Sequence, residues 1–343
     1  MIPKLLVCLF VTGVSTNLAA NVCKIGNIVH RSGNSQPYYF PTNWNENQTA
    51  PSLGRDQSCS WVFTVPHGYY AKLIISGKTG DNYSHFQTVD AAGNVIQTQH
   101  ENKEPYYFPF PKFTLIVNNE APATFGFKVI WAPFPNVQLQ QGGVGLQPYR
   151  INITKSQQIF EFIAVTGVSV LAFPGDLKNY HALKSALLFD GNDMNAPFVN
   201  NLYGLYESRD QFLSTGQSVY IINLEAQNST DQILIQESAY TDYLQPYREL
   251  ICSPSSTCSK SLNGGKKGSG LVYVGKQNQT LVDIQMDNSA TLSVYYGSPD
   301  VYGFYKSYSG STIKSQLPLT FNAGITQYII SSGKSAFTFH LSN

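Results

Sequence analysis

The chain has 343 residues, with 22 Lys and Arg against 21 Asp and Glu, a formal charge of +1 and only 13% charged residues. Soluble domains usually carry about 25% charged residues; this chain is charge-poor and has no basic stripe, which argues against a nucleic acid partner. Its length exceeds what one hydrophobic core normally fills, so two or three domains are expected.

Residues 1–20 contain Lys4, an apolar stretch from Leu5 to Val14 and a small-residue close at Ala19 and Ala20. That order is the pattern of a secretory signal peptide. The apolar run is about half of the 20 residues a membrane span needs. The longest later apolar stretch, Phe162 to Phe173, is interrupted by Thr166, Gly167 and Ser169, and Ser335 to Asn343 lacks the hydrophobic run of a lipid-anchor signal. A secreted, extracellular product without a membrane span is expected.

Removing Cys8 with the signal leaves Cys23, Cys59, Cys252 and Cys258, an even set for an oxidising compartment. Four cysteines allow three pairings, and the long gap favours Cys23 with Cys59 and Cys252 with Cys258. The alternative is zinc, whose ligands usually come as two tight pairs. Cys23 and Cys59 have no close partner, and no His stands at ligand spacing beside Cys252 and Cys258. No metal or other cofactor is expected. Sequons at Asn47, Asn82, Asn152, Asn228 and Asn278 each predict an exposed turn or strand edge carrying a glycan.

The texture is β throughout. Short runs rich in Val, Ile, Thr, Tyr and Phe alternate with Gly, Pro, Asn and Asp. Strands are predicted at Ser60 to Val65, Ala71 to Ile75, Phe113 to Val117, Phe125 to Ile130, Ser218 to Leu224, Gln232 to Gln236, Thr291 to Tyr296 and Gln327 to Ser331. Leu177 to Leu188 has helical spacing through Tyr180, Leu183, Lys184 and Leu187, which predicts a short helix or a loop leading into a strand at Ala186 to Phe189. Loop composition at Ala132 to Val137 and Gln140 to Gly145, and again at Cys252 to Gly270, marks boundaries. These divide the mature chain into modules at 21–133, 136–250 and 251–343.

An internal repeat supports that division. ALLFDG at Ala186 to Gly191 resembles LSVYYG at Leu292 to Gly297, and each precedes a similar strand, SVYII at Ser218 and TQYII at Thr326. The repeat concerns architecture, not chemistry.

Catalytic patterns are absent. No Gly-x-Ser-x-Gly occurs, and the histidines His30, His67, His85, His100, His181 and His340 stand singly. The GGKKGSG run at Gly264 to Gly270 lacks the spacing of a phosphate cradle and reads as a flexible basic linker. Among 22 Tyr and 20 Phe, the cluster from Tyr106 to Pro111 is the expected exposed exception, because its prolines prevent a continuous central strand. Tyr106, Tyr107 and Phe110 are therefore candidate binding residues.

Cys23, then Pro37-Tyr38-Tyr39-Phe40-Pro41 with Trp44, then Gly54, Cys59, Trp61 and Val65 to Lys72 form the most specific pattern in the chain. Residues Asn21 to about Trp131 resemble the nematode CUB-like domain family. In CUB-type domains an early cysteine pairs with one preceding a Trp strand, followed by a Pro-x-Gly turn; Cys59, Trp61, Pro66 and Gly68 fall on that pattern. Leu187 to Gly191, Ala196 to Phe198, Leu202 to Gly204 and Ser214 to Ile222 resemble the same fold more loosely. The resemblance implies an all-β chain of consecutive CUB-like jelly-roll β-sandwich modules. CUB domains often hold calcium; Glu46, Asp56, Asp81 and Asp90 are the available carboxylates, and none falls on the family's calcium pattern.

The resemblance also implies a secreted, non-enzymatic recognition or effector protein of innate immune or stress response, binding an extracellular protein or a glycan, including a microbial surface. The alternatives are a structural matrix or spacer protein, and a hydrolase with two carboxylates facing each other about 5 to 10 Å apart.

Overall fold

Successive side chains of a strand point to opposite faces, and the aromatic-rich runs use this to fill a core. In Gln57–Thr64 the alternate residues Cys59, Trp61 and Phe63 are buried, and in Ala123–Pro133 so are Phe125, Phe127, Val129 and Trp131. The computed structural model describes residues 23–253 and 255–342; the signal peptide expected at 1–20 lies outside them. Within this range the chain is all-β, and it forms three consecutive two-sheet modules with one shared strand order.

In the first module the five-stranded sheet runs Asn27–Val29, Gln57–Thr64, Lys112–Asn119, His85–Val89, Val95–Thr98. In the second it runs Leu139–Gly143, Gln158–Ile163, Ser218–Asn223, Ala186–Phe189, Phe198–Asn201, and in the third Leu244–Glu249, Gly268–Val274, Ile325–Ile330, Thr291–Tyr296, Phe304–Ser309. Each time the first strand lies parallel to the second. The other pairs in these sheets are antiparallel.

The facing sheet is built from Tyr38–Phe40, Ala123–Pro133, Tyr69–Lys78 and His100–Asn102 in the first module, with Ser52–Leu53 and Tyr106–Pro109 added. Its counterparts are Tyr149–Asn152, Gln232–Glu237, Val168–Phe173, Phe212–Leu213, and then Thr257–Asn263, Lys334–Ser342, Asn278–Met286, Leu319–Phe321. The repeat noted in the sequence thus joins equivalent strands. Ala186–Phe189 pairs with Ser218–Asn223, and Thr291–Tyr296 pairs with Ile325–Ile330.

Several local expectations change. Leu244–Glu249 pairs with Gly268–Val274, so the third sheet pair begins inside the stretch assigned to the second module at 136–250. Leu139–Gly143 is a strand where loop composition had been read. GGKKGSG is an ordered turn: Lys267 N donates to Gly264 O (2.8 Å), and Gly333 N donates to Gly265 O (2.7 Å). Leu177 to Leu188 keeps its expected form, a short 3-10 turn at His181–Ser185 running into the strand Ala186–Phe189. A short helix, Leu202–Ser208, was not anticipated; Asn201 caps it by accepting a hydrogen bond from Gly204 N.

Each module has its own core, and two further apolar clusters weld the modules together. Tyr70, Tyr107, Leu187, Phe189 and Tyr220 meet at the first junction, and Leu171, Phe173, Leu234, Tyr247 and Ile329 at the second. A buried polar ring closes the second junction. Gln236 Nε2 donates to Tyr247 Oη (2.6 Å), Tyr247 Oη to Gln327 Oε1 (2.5 Å) and Gln327 Nε2 to Gln236 Oε1 (3.0 Å). Both expected disulfides form: Cys23 to Cys59 with Cα atoms 5.5 Å apart, and Cys252 to Cys258 at 5.8 Å. Trp61 joins both Cys23 and Cys59 in the first core. Gly68, at φ 76°, makes the turn from Gln57–Thr64 into Tyr69–Lys78, a conformation that costs glycine little.

Candidate functional site

The aromatic cluster singled out in the sequence is not exposed as a unit. Tyr106 and Tyr107 are 3% and 1% exposed, in a strand paired with Tyr69–Lys78. The prolines do confine this strand to the sheet's margin, but the second module covers it there. Tyr107 Oη donates to Glu225 Oε2 (2.7 Å), and Lys72 Nζ donates to Glu225 Oε1 (2.6 Å), so a carboxylate from the second module ties two residues of the first. Tyr106 Oη donates to Glu101 Oε1 (2.7 Å). Burial and these carboxylates push both phenols well above their ordinary pKa. Phe110 does face solvent, its ring 3.7 Å from that of His67 by centroids.

The four candidate carboxylates Glu46, Asp56, Asp81 and Asp90 do not converge. Asp81 accepts from Ser84 Oγ, Ser84 N, Tyr83 N and Ala121 N. The Ser84 hydroxyl and these amides hold its pKa down to about 2. Asp90 accepts from Ala92 N, Asn94 N and Asn94 Nδ2; Glu46 pairs with Lys128 and Asp56 with Arg55. Each is committed to a local partner. Among the described residues no group of three or more His, Cys, Asp or Glu side chains is placed to hold a metal ion.

The sequons divide by environment. Asn47, Asn82 and Asn228 are exposed, whereas Asn152 and Asn278 are half-buried, the first at the end of one strand and the second at the start of another. The Asn152 Oδ1 atom is buried, and the hydroxyl of Thr154 in the same sequon is enclosed beside Ser229 and Asp231.

The exposed aromatic surface lies instead in the third module. Val301 and Tyr302 are 83% and 75% exposed, and Phe304 and Tyr305 lie beside them on Phe304–Ser309, the outermost strand of its sheet. Asp300 Oδ1 accepts hydrogen bonds from Tyr302 N (2.9 Å) and Gly303 N (2.7 Å), which shapes the turn. A second row supports the rings: Tyr305 stacks on Tyr296 at 4.6 Å, and Phe304 meets Tyr295 edge-on at 5.6 Å. The patch is held in place before any partner arrives. Sequence reading missed it because VYGFYKSY alternates no more clearly than the buried strands do; the outermost position in the sheet is what exposes it.

Comparison with known proteins places the first module. Residues 18–135 match the family model described as the CUB-like domain, and residues 144–224 match a domain of unknown function. No curated protein matches the chain. Solved structures with similarity include the CUB1-EGF-CUB2 domain of human MASP-1/3, at 10% identity over 54% of this chain and 94% of that one, TM-score 0.22. The CUB1-EGF-CUB2 domains of rat MASP-1 align at 8% identity over 61% and 99%, TM-score 0.24. No helix among the described residues is long and apolar enough to cross a membrane. The cysteine bridge, the Trp61 strand and the Pro66 to Gly68 turn of the first module all lie inside the segment that matches the CUB-like domain.

Proposed function

We propose that this is a secreted recognition protein that acts by binding and performs no chemistry, in an innate immune or stress response. The observation that carries the reading is the aromatic patch of Val301 and Tyr302, in the turn into an outermost strand, with Phe304 and Tyr305 at the start of that strand. Tyrosine-rich, pre-organised patches are where binding energy concentrates in protein interfaces, and the outer side of a sheet's last strand offers backbone donors and acceptors for strand addition. The partner is accordingly a protein. The disulfides support an extracellular setting, and the separately committed carboxylates of the first module give a hydrolase reading no support.

A spacer role is favoured by the two apolar junctions, which make the modules a stiff array. One experiment separates the readings. Wild type and a variant carrying Tyr302→Ser, Phe304→Ser and Tyr305→Ser are tested against arrayed extracellular proteins and intact bacteria. Recognition predicts binding that the triple variant loses by at least about tenfold with an unchanged melting temperature. Equal binding by both proteins, or no binding with the wild type recovered in insoluble matrix, would overturn it.

A further inference from the structure

The third module carries a cleft of about 950 Å³ at one end of its sandwich. It is lined by the ends of Thr257–Asn263 and Asn278–Met286, the start of Lys334–Ser342, and Leu244–Glu249 from the facing sheet. At such an end the inward positions of the strands are normally apolar. Here they are not.

Arg248 lies two residues before Leu250, which is part of the module's core, while Tyr247, just before it, faces the second module. A strand's alternation therefore turns Arg248 inward. Its Nε is buried without a hydrogen-bond partner, and no ion pair neutralises it among the described residues. On the opposite wall Ser335 is 4% exposed, and its Oγ is likewise buried and unpaired. Native proteins rarely leave such groups unpaired without a functional reason or a bound partner.

The second module shows what the closed version looks like. Val144 N donates to Ile163 O as Leu250 N donates to Val272 O, so the position of Arg248 is occupied there by Gly142. Gly142 pairs with Phe162, whose ring comes within 3.0 Å of where a Cβ on Gly142 would stand, and Tyr149 packs against that ring. The residue paired with Arg248 is the smaller Leu271. Opening the corner and placing an unpaired cation in it are thus departures from the shared architecture.

The charge at the cleft is positive. Arg248 and Lys334 line it, and Lys267, at its rim, donates from Nζ to the lining residue Gln245 (3.1 Å); Asp287 is the one lining carboxylate. Amides and hydroxyls from Asn263, Gln285 and Ser261 supply the rest of the polar wall, with Met286 and Pro246 as apolar surface. Guanidinium suits planar or tetrahedral oxyanions, clustered amides and hydroxyls suit sugar hydroxyls, and the volume is at the upper end of the usual range for ligand sites, about 300 to 1,000 Å³.

We infer that this cleft binds an acidic saccharide, with its carboxylate or sulfate on Arg248 and its hydroxyls on Ser335, Asn263 and Gln285. No residue of Phe304–Ser309 lines the cleft, so this site stands or falls separately from the protein-docking patch. The test is calorimetric titration of the full-length protein with a galacturonate tetrasaccharide, a chondroitin sulfate tetrasaccharide and neutral cellotetraose. At least one acidic probe binds and cellotetraose does not; which one binds distinguishes carboxylate from sulfate recognition. Arg248→Met keeps the side chain's apolar stem and weakens binding at least tenfold at an unchanged melting temperature. Ser335→Val, which fills the wall without altering charge, weakens it as well and serves where Arg248→Met fails to fold. Absence of binding by both acidic probes, equal binding of cellotetraose, or undiminished binding in the folded variants overturns the assignment.

Discussion

The Nζ of Lys184 lies 3.6 Å from the centroid of the Tyr106 ring, so a cation of the second module rests on an aromatic face of the first. The Tyr203 ring, 5.0 Å away, lies on its own module's side. Lys184 is 2% exposed and forms no ion pair among the described residues; burial pulls its pKa down to about 8, with Glu101 and Glu104 drawing it back up. The two rings attract the charge, but not enough to cancel its desolvation.

This pair predicts an unusual pH dependence. The unfolded chain holds the Lys184 proton up to its ordinary pKa of 10.5, and the folded protein releases it near 8. Below about pH 8 both states are protonated and the full cost of the buried charge is present. Between the two values the unfolded state binds more protons, so stability rises with pH. Above about pH 10 the raised phenols of Tyr106 and Tyr107 act oppositely, because the folded state then holds the extra protons. Urea titrations should show stability increasing by about 1 to 2 kcal/mol from about pH 7.5 to 9.5, with Lys184→Met much flatter over the same range. A wild-type profile that falls across this window contradicts the assignment.

At the second junction, Tyr247→Phe removes the hydroxyl that links Gln236 to Gln327 and leaves two buried amides short of a partner. An unsatisfied buried polar group costs about 1 to 3 kcal/mol, and a destabilisation of that size is expected by denaturant unfolding. Val272→Ala in the same apolar cluster should cost a similar amount without affecting the polar ring. A neutral Tyr247→Phe would mean that the ring contributes nothing to docking the modules.

The two disulfides should differ in worth. The Cys23–Cys59 bridge spans a sequence separation of 36 and Cys252–Cys258 one of 6. Chain entropy then predicts a loss of about 4 kcal/mol for the paired Cys23→Ser and Cys59→Ser change, and about 2 kcal/mol for Cys252→Ser with Cys258→Ser. Thermal unfolding of the two double variants checks the order.

Glycan occupancy is expected to follow exposure. Peptide mapping after enzymatic deglycosylation in heavy water should find modification among Asn47, Asn82 and Asn228, and none at Asn152 or Asn278. A glycan on Asn152 would require its buried Oδ1 and the enclosed Thr154 hydroxyl to be displaced together.

Local patterns carried much of the fold. Alternation in Ser60 to Val65 and Phe125 to Ile130, the turn at Pro66 to Gly68 and the spacing of Cys23, Cys59 and Trp61 depend on residues near one another in the chain or on one disulfide. The ALLFDG and LSVYYG runs revealed the repeated module because equivalent strands face equivalent surroundings. Leu244–Glu249 escaped notice as the opening strand of the third module because its pairing with Gly268–Val274 is parallel and crosses a cysteine-bridged loop.

The sequence by itself pointed to an all-β chain of repeated modules and to the favoured pairing of its cysteines, since these follow from periodicity, turn chemistry and spacing; the likeness of the first module to CUB-like domains rested on a family resemblance. Tertiary structure decided which aromatic side chains face water and which polar ones are left unpaired. Tyr107 and Tyr302 are both tyrosines in aromatic, proline- or glycine-punctuated runs; the first is covered because the second module docks on its strand, the second is bare because it sits in the turn leading into the last strand of a sheet. Arg248 acquires its meaning only from the register that turns it inward toward Ser335, a residue nearly ninety positions further along the chain. Burial and pairing are properties of what surrounds a side chain, and for these residues the surroundings come from distant sequence.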